Sequence, residues 1–268
     1  MKNVLSIAGS DSSGGAGIQA DLKTFCALGV YGMTVITAIT AQNTQGVYAV
    51  EKISPSLVAE QIEAVYKDIC VDAVKIGMVF QADIIYVVKE SLQKFQAKNI
   101  VLDPVMISKS GCHLMRPEAL PAMHELIRIA DMITPNIPEA ELLCGFHIET
   151  EDDMQKAAQK IQEMGAKHIL IKGGHLSGDS ATDILLTEGR FVKLHAKKIN
   201  TKNTHGTGCT LSSAIASRLA LGDAPENAVR NAKDYITQAI LDAYSVGGGA
   251  GPVGHLTALY RKAGIQTD

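Results

Sequence analysis

Short apolar segments alternate with longer segments of helical periodicity along most of this sequence. The predicted strands are Val4–Ile7, Met33–Ile39, Ala73–Ile76, Ile100–Leu102, Met132–Ile133 and His168–Ile171. The predicted helices between them are Ile18–Leu28, Leu57–Ile69, Ala82–Phe95, Pro117–Ile129 and Glu151–Met164. Strands that alternate with helices of this length predict βαβ units and a mostly parallel sheet. The sequence therefore predicts an α/β fold.

The pattern changes towards the C-terminus. Two apolar segments, Asp183–Leu186 and Arg190–Leu194, flank a Glu-Gly pair, which predicts a β-hairpin. Two helices, Thr210–Leu221 and Ala224–Tyr244, are predicted to close the chain. Because the sequence shows no Pro/Gly/Ser-rich linker, composition shift or internal repeat, we expect residues 1–268 to form a single domain.

Charge and cysteine content exclude several classes of protein. Lys and Arg number 25 against 28 Asp and Glu, a net charge of −3, so a nucleic-acid binder is not expected. The five cysteines are scattered and form no CxxC pair, which indicates a reducing compartment. No apolar run approaches the roughly 20 residues of a membrane span, and the N-terminus does not resemble a signal peptide. We therefore expect a cytoplasmic protein without membrane partners.

Polar residues and glycines follow nearly every predicted strand. Ligands of parallel α/β sheets bind beyond the carboxyl ends of the strands, so these residues are candidates for a site. After the six strands they read Gly9-Ser10-Asp11, Gln42-Asn43, Gly77-Met78, Asp103-Pro104, Pro135-Asn136 and Lys172-Gly173-Gly174. Ordinary surface loops would explain part of this pattern, but the recurrence at one sheet edge favours a ligand site.

The strongest local signal is the segment 203–210, NTHGTGCT. Gly206 and Gly208 would let backbone N–H groups converge just before an apolar helix, and a helix N-terminus attracts anions. Cys209 at this place is expected to be exposed and to have a lowered thiol pKa. The alternative is a glycine-rich loop with a buried, inert cysteine.

The first glycine-rich segment, residues 8–17, reads AGSDSSGGAG. It lacks the GK[ST] of a phosphate-binding P-loop, and its glycine spacing does not match the GxGxxG of a dinucleotide fold. We interpret it as a substrate-side loop in which Asp11 and Asp21 make polar contacts. For Asp21, a solvated acid in the first helical turn is an equal alternative.

Two further strand ends carry candidate charged groups. Asn136 and Glu139 lie three residues apart at a strand-to-helix turn, and with Asp103 they could bind Mg²⁺; Glu139 could instead be a helix-dipole acid. Lys172 and the following glycines could approach phosphates, or form a tight turn with a surface lysine. A glycine run at 247–251 could cover a site or join a flexible tail.

Taken together, these segments resemble the hydroxymethylpyrimidine/phosphomethylpyrimidine kinases of thiamine biosynthesis, within the ribokinase superfamily. The resemblance covers nearly the whole chain and keeps the order of the motifs. Its segments are 8–11 (AGSD), 17–21 (GIQAD), 40–44 (TAQNT), 103–106 (DPVM), 134–136 (TPN), 139–141 (EAE), 172–175 (KGGH) and 204–210 (THGTGCT). Sugar kinases of the superfamily usually carry Asp where this chain has Cys209, and this departure fits the vitamin-kinase branch.

The resemblance implies a ribokinase-like α/β/α sandwich and two ATP-dependent phosphorylations. The alcohol 4-amino-5-hydroxymethyl-2-methylpyrimidine would give a monophosphate and then a diphosphate, with Mg²⁺ as cofactor and a monovalent cation left open. A homodimer is also expected. The implied catalytic residues are Cys209 as base and Gly206, Thr207 and Gly208 as an anion cradle. The other implied site residues are Gly9, Asp21, Gln42, Met78 and Val105 for the substrate, Asn136, Lys172, Gly174 and His205 for the nucleotide, and Asp103 and Glu139 for the metal.

Three alternative functions compete with this interpretation. Pyridoxal or pyridoxine kinase would share the thiol-bearing anion loop, but the amide of Gln42 favours an aminopyrimidine, because it can both donate and accept hydrogen bonds. A dinucleotide-dependent oxidoreductase would need a glycine fingerprint that is absent after the first strand. A non-catalytic pyrimidine-binding regulator would tolerate the loss of Cys209 or Glu139, and both are present.

Overall fold

A computed structural model describes residues 1–106, 115, 117–175 and 181–266 of the chain. Nine strands form one sheet in the order β3-β2-β1-β4-β5-β6-β7-β8-β9. The strands are β1 (Asn3–Asp11), β2 (Tyr31–Asn43), β3 (Gly46–Lys52), β4 (Ala73–Ile76), β5 (Ile100–Leu102), β6 (Met132–Ile133), β7 (His168–Ile171), β8 (Asp183–Thr187) and β9 (Arg190–Leu194).

The centre of the sheet is parallel and its two edges are antiparallel. Strands β2, β1, β4, β5, β6 and β7 pair in parallel. At the edges, β3 joins β2, β8 joins β7, and β9 joins β8, each in an antiparallel pair. Strand β1 pairs with both β2 and β4. The next strands in the chain, β2 and β3, therefore lie on one side of β1, and β4 and the later strands lie on the other. A parallel sheet binds ligands at such a switch point, beyond the carboxyl ends of its strands.

Nine helices are present in the described part of the chain. They are α1 (Gly17–Ala27), α2 (Pro55–Asp68), α3 (Ala82–Lys94), α4 (Leu120–Ile127), α5 (Ile137–Cys144), α6 (Glu151–Glu163), α7 (Thr207–Ala220), α8 (Pro225–Leu241) and α9 (Thr257–Lys262). None of these helices is both long and apolar enough to cross a membrane.

Helices cover both faces of the sheet, so the molecule has three layers and two cores. Alternation along β1 shows why: Leu5 and Ile7 pack into the core with α2 to α6, whereas Val4 packs into the opposite core with α1, α7 and α8. Ile100 and Val101 divide between the two cores in the same way. The predicted α/β/α sandwich with a mostly parallel sheet is confirmed.

The elements with strong periodicity agree with their predicted bounds to within a few residues, and β4 to β7 agree completely. The predicted hairpin is also confirmed, because Glu188 and Gly189 both have positive φ angles, 49° and 74°, in a two-residue turn between β8 and β9. Sequence analysis missed β3 and α9, and it gave no bounds for α5, although it expected a helix to begin near Glu139. An exposed edge strand and two helices of eight and six residues carry too little periodic signal.

Candidate active site

A cavity of about 1210 Å³ opens at the carboxyl ends of the parallel strands. Every site residue predicted from the sequence lines it except Asp21. Residues from the ends of β1, β2, β4 and β7 thus meet residues from the start of α7, as the strand-end pattern predicted. Its lining residues extend across the sheet from β3 to β8.

Asp11, the last residue of β1, organises the first glycine-rich loop. Its buried carboxylate accepts hydrogen bonds from the backbone N–H groups of Ser13, Gly15 and Ala16, at 2.8, 3.0 and 2.8 Å. Burial opposes ionisation, but hydrogen bonds from His205 and the loop outweigh it and lower the pKa of Asp11 to about 2. The loop is therefore held around a fixed negative charge.

His205 connects this loop to the predicted pyrimidine-binding residue Gln42. Its Nε2 lies 3.0 Å from Asp11 Oδ2 and 3.1 Å from Gln42 Nε2. The sequence prediction assigned His205 to the nucleotide, and this assignment stays a prediction. The structure places the ring against Asp11, 194 positions away in the chain, and against Gln42.

Gly9 and Met78 form a close apolar contact in the wall of the cavity. A Cβ atom on Gly9 would lie 2.4 Å from Met78 Cε, so the absence of a side chain at position 9 makes room for the methionine. Val105 lines the same cavity. These three residues, predicted from the resemblance to contact substrate, therefore line the same cavity as the Gln42 amide.

Helix α7 begins at Thr207, three residues earlier than predicted, and so includes Cys209 in its first turn. Its N-cap, Gly206, has a φ of +78°, and a Cβ there would lie 1.9 Å from the backbone oxygen of Gly15. Only glycine satisfies both conditions. Among the described residues, no side chain caps the N-terminus of α7. The N–H groups of its first turn and the positive end of its dipole therefore face the cavity.

Cys209 is half-buried and receives the backbone N–H of Gly17, the first residue of α1. Burial raises the pKa of the Cys209 thiol, Lys75 opposes this rise, and the carboxylates of Asp21 and Asp103 add to it. The expectation of an exposed thiol with a lowered pKa is therefore wrong. The sequence motif reveals the helix N-terminus but not the desolvation or the two carboxylates.

Asp21 lies beneath the cavity rather than in its wall. Its carboxylate is fully buried and pairs with Lys75 Nζ at 2.8 and 2.9 Å, and it accepts hydrogen bonds from Ser6 Oγ and Ser213 Oγ at 2.5 and 2.7 Å. Asp21 therefore does not line the cavity as expected, whereas its partner Lys75 does, and Asp21 is not the solvated acid of the alternative interpretation. Sequence analysis missed Lys75, although a lysine within the apolar strand β4, AVKI, was a usable signal.

A second charged cluster lies beneath the first turn of α7. Asp103 Oδ1 accepts from Lys172 Nζ at 2.8 Å, and a Cβ on Gly208 would lie 3.5 Å from both Lys172 Nζ and Asp103 Oδ2. Glu139 is buried close by, and burial together with the charge of Asp103 raises its pKa to about 7, against the opposing effect of Lys172. The charge of Lys172 thus compensates only part of the cost of burying the ionised carboxylate.

Glu139 also caps α5. Its Oε2 accepts from the backbone N–H of Asn136 at 2.8 Å, while Asn136 Oδ1 accepts from the backbone N–H of Glu139 at 3.0 Å. Glu139 is therefore an acid in the first turn of α5, as the helix-dipole alternative predicted, and it also lines the cavity. No cluster of three or more His, Cys, Asp or Glu suited to a metal is found among the described residues.

The other end of the cavity is built from β8, α8 and the segment 196–199. Gly174 lines it with the apolar side chains of Ile236 and Ile240. Lys233 Nζ pairs with Asp183 Oδ2 at 2.5 Å, and Asp183 Oδ1 accepts from the backbone N–H of Gly173. Sequence analysis missed this contribution of α8, because its residues read as an ordinary amphipathic helix.

The glycine run at 247–251 reaches the cavity mouth. Ala250 N donates to Thr44 O at 3.0 Å, Gly249 N donates to Thr44 Oγ1 at 3.1 Å, and both Gly249 and Ala250 line the cavity. Of the two alternatives considered from the sequence, the structure therefore supports a segment that borders the site.

Comparison with known proteins identifies one family. The model of the family described as phosphomethylpyrimidine kinase matches residues 11–254. A hydroxymethylpyrimidine/phosphomethylpyrimidine kinase of Rhizobium meliloti is 51% identical over 255 residues, which cover 94% of this chain and 96% of that protein. A thiamine biosynthesis bifunctional protein of Geobacter sulfurreducens is 48% identical over 96% of this chain, which spans about half, 52%, of that longer protein.

Solved structures with this fold include enzymes named for two different substrates. A pyridoxal kinase of Bacillus subtilis in complex with ADP has a TM-score of 0.89 and 39% identity, and the match covers 97% of this chain and 99% of that one. A phosphomethylpyrimidine kinase of Clostridium difficile has a TM-score of 0.81 and 53% identity, covering 90% of this chain and 100% of that one.

Proposed function

Because this chain belongs to the phosphomethylpyrimidine kinase family, we propose that it phosphorylates 4-amino-5-hydroxymethyl-2-methylpyrimidine and then the resulting monophosphate, with ATP as phosphoryl donor. One observation carries the proposal: a single cavity holds an amide suited to an aminopyrimidine, Gln42, and a thiol in the first turn of a helix, Cys209. An alcohol bound between them would be held close to both a base and an anion cradle.

The substrate end of the cavity suits a small aminopyrimidine ring. The Gln42 amide can donate to a ring nitrogen and accept from an exocyclic amine. The apolar wall of Gly9, Met78 and Val105 would contact the ring faces and the methyl group. His205, bound to Asp11, would fix the position of the amide.

The transfer itself needs positioning and charge stabilisation more than covalent chemistry. Cys209 Sγ would take the proton of the substrate hydroxyl. The backbone N–H groups of Gly206, Thr207 and Gly208 would hold the phosphoryl oxygens at the positive end of α7. The ammonium group of Lys172, 3.5 Å from the Cβ position of Gly208, would balance phosphate charge beside them.

The carboxylates of Asp103 and Glu139 fit Mg²⁺, which takes one or two carboxylates together with phosphate oxygens and water. The raised pKa of Glu139 supports this assignment, because a cation would supply the countercharge that the buried carboxylate lacks. When bound, Mg²⁺ would neutralise the β- and γ-phosphates of ATP. Asn136 would orient Glu139 through their reciprocal hydrogen bonds. We leave the monovalent cation as a secondary proposal, to be tested by activity in K⁺ and Na⁺.

Pyridoxal is the second candidate substrate. The similarity to the pyridoxal kinase of Bacillus subtilis, at 39% identity over nearly the full chain, specifically supports it. Pyridoxal also carries a hydroxymethyl group on an aromatic nitrogen ring, so the anion cradle would serve it equally well. The Gln42 amide favours the aminopyrimidine, because pyridoxal has no exocyclic amine.

An ATP-consumption assay with four purified substrates tests this proposal. We expect the highest kcat/KM for hydroxymethylpyrimidine, a lower value for pyridoxal and pyridoxine, and none for ribose. A higher kcat/KM for pyridoxal than for hydroxymethylpyrimidine would replace the first candidate by the second. Turnover of neither would contradict both.

Three further expectations stand as proposals. We propose one domain over residues 1–268, which the continuous nine-stranded sheet supports. A cytoplasmic location is supported by the free cysteines Cys26, Cys70, Cys144 and Cys209. A homodimer is supported by exposed apolar side chains on the β2–β3 edge, where Ile39 is 51% and Tyr48 67% exposed.

A further inference from the structure

A fully buried ion pair lies beneath Cys209. Lys75 and Asp21 have no exposed side-chain surface, and Lys75 Nζ donates to both carboxylate oxygens of Asp21. Such a pair seldom adds to stability, because desolvation offsets the attraction between the charges. A buried pair that also borders a cavity therefore indicates a functional role.

Helices α1 and α7 tie the pair to the thiol. On α7, Ser213 lies one turn after Cys209 and donates to Asp21 Oδ1 at 2.7 Å. On α1, Gly17 donates its backbone N–H to Cys209, and Asp21 lies one turn after Gly17. Residues four apart share one face of a helix. The thiol and Asp21 therefore lie one helical turn apart along one contact between the two helices, and Lys75 reaches Asp21 from β4.

The strand β4 leaves room for the lysine head group. A Cβ atom on Gly77, which follows this strand, would lie 2.8 Å from Lys75 Nζ. Asp21 is fixed by hydrogen bonds from Ser6 and Ser213 as well as by the lysine, so it cannot swing towards the cavity. The ammonium group thus has Asp21 on one side and the cavity containing Cys209 on the other.

We propose that Lys75 is a positioning residue for the general base: its ammonium group, held by Asp21, stabilises the negative charge of the Cys209 thiolate. This proposal rests on the proposed kinase function. The thiolate accepts the hydroxyl proton as the substrate oxygen attacks the γ-phosphorus. The bond from that phosphorus to the bridging oxygen breaks, its electron pair leaves on ADP, and the thiol later returns its proton to water.

The charges around the thiol support this assignment. Four ionisable side chains from four parts of the sheet and its helices act on Cys209, namely Lys75, Asp21, Asp103 and Lys172. Lys75 is the strongest group opposing the rise that burial causes in the thiol pKa, and it acts more strongly than Asp21 does in the other direction. Although its burial works against the charge, Asp21, Cys209 and Asp103 raise the pKa of Lys75, so it stays charged.

Alkylation of Cys209 by iodoacetamide, followed by peptide mass spectrometry over a range of pH, tests the proposal without any substrate. Only the thiolate reacts, so the rate at pH 7 reports its population. We expect Lys75→Met to slow alkylation about tenfold or more and Asp21→Asn to accelerate it. The double variant, Lys75→Met with Asp21→Asn, leaves no unpaired buried charge. Its alkylation rate should lie between the rates of the wild type and of Lys75→Met.

A merely structural role for the pair gives a different result. Loosening the contact between α1 and α7 would expose the thiol and accelerate alkylation in all three variants. An unchanged or faster rate in both Lys75→Met and the double variant would overturn the proposal. The exposed Cys26 serves as an internal reference in each sample. Lys89→Met, which removes an ion pair with Glu125 at the surface, is the matched control and should change no rate.

Activity measurements separate this proposal from the proposed function. In the double variant, phosphorylation of the alcohol should fall at least about tenfold more than phosphorylation of the monophosphate, which is already ionised near neutral pH. If the wild type phosphorylates neither pyrimidine, the proposed function fails. The order of the alkylation rates would still decide whether Lys75 stabilises the thiolate. If the double variant loses both phosphorylation activities equally, this result would count against the proposed role of Lys75.

Discussion

Individual residues around this cavity owe their chemistry to burial and to partners from distant parts of the chain. Asp11 keeps a low pKa because loop N–H groups and His205 bind it, whereas Glu139 has a raised pKa because burial and Asp103 oppose its charge. Asp11 ends a parallel strand, and Glu139 lies in the first helical turn after another. Their surroundings, not their residue type, therefore give them different roles.

The first prediction at this scale concerns Gln42. Gln42→Met removes the amide while keeping the length of the side chain, so a polar group of the bound pyrimidine loses its partner. Such a loss costs about 1–3 kcal/mol, or roughly 5- to 150-fold in kcat/KM for hydroxymethylpyrimidine. Steady-state kinetics with hydroxymethylpyrimidine and pyridoxal measure it. Gln93→Met, the same substitution at an exposed position of α3, is the control. An unchanged kcat/KM in Gln42→Met would refute the assignment.

The second prediction compares the two phosphorylations in Cys209→Ala. A positioned base typically contributes roughly 10²–10⁴-fold to the reaction of an alcohol, whereas a phosphate monoester with a second pKa near 6 is already ionised. We therefore expect the first transfer to slow far more than the second. Cys209→Asp should restore part of the first step. Initial rates with the purified alcohol and the purified monophosphate measure the two transfers. An equal decrease in both rates would mean that the thiol contributes to packing alone.

The third prediction concerns the pH dependence of Glu139. Its pKa is about 7 in the folded protein and near 4.5 in the unfolded chain, so the folded state binds the proton more tightly. Stability should therefore fall as pH rises from about 4.5 to about 7, by up to about 3 kcal/mol. Glu139→Gln should remove this fall, which melting curves at pH 5 and pH 8 without Mg²⁺ or nucleotide would show.

The same variant tests the metal assignment. If Glu139 binds Mg²⁺, Glu139→Gln should raise the Mg²⁺ concentration needed for half-maximal rate. Glu163→Gln, at an exposed position at the end of α6, is the control and should alter neither the melting curves nor the Mg²⁺ titration. A Glu139→Gln enzyme with an unchanged Mg²⁺ titration would leave the residue with its capping role only.

At the scale of secondary-structure elements, the junctions between strands and helices position the site. The first turn of α7 faces the cavity because its N-cap, Gly206, packs directly on the loop that Asp11 holds. Helix α5 is placed by the reciprocal hydrogen bonds of Asn136 and Glu139, which also set the carboxylate beside Asp103. The residues that cap these two helices thus also belong to the site.

The fourth prediction belongs to this scale. Gly206→Ala combines a left-handed backbone, which costs a residue with a Cβ roughly 1–2 kcal/mol, with a Cβ position 1.9 Å from Gly15 O. We expect lower stability and a loss of kinase activity, because the loop and α7 must move apart. Gly29→Ala is the matched control: its φ of +75° is nearly the same, but no atom lies within 4 Å of its Cβ.

Thermal melts and kinetics of the two glycine variants separate backbone strain from displacement of the loop. The control should lose about the same 1–2 kcal/mol from its backbone and keep its activity. If both variants lose the same stability and both remain active, close packing between Gly206 and Gly15 does not position the anion cradle.

The whole molecule has an open edge at β3 beside the cavity mouth. Val47 and Val50 of this strand line the cavity, while Ile39 of β2 and Tyr48 of β3 expose their apolar surface. An exposed edge strand with apolar side chains is a common site of association. Assembly through this edge would therefore place a second copy close to the substrate end of the cavity.

The fifth prediction tests that assembly. Light scattering after size-exclusion chromatography should give twice the mass of one chain for the wild type, and Ile39→Lys should shift the equilibrium towards monomer. Leu241→Lys, which alters an exposed apolar residue at the end of α8, should leave the mass unchanged. A monomeric wild type at micromolar concentration would contradict the proposed homodimer.

The sequence alone determined the elements whose periodicity is strong and the local motifs that bind anions or cap helices. Strands β4 to β7 have their predicted bounds, because buried parallel strands are short apolar runs between helices. The turn at Glu188 and Gly189 and the glycines before α7 follow from local backbone preferences. The motif order was also sufficient to indicate the kinase family, which the family match over residues 11–254 supports.

Only the tertiary structure decided which charges meet. His205 lies against Asp11 and Gln42, Asp21 pairs with Lys75 beneath the cavity, and Cys209 has a raised thiol pKa instead of a lowered one. Each outcome depends on desolvation and on contacts between residues far apart in the chain. Periodicity and motifs describe neighbours along the sequence, whereas the energy of a buried charge depends on its neighbours in space.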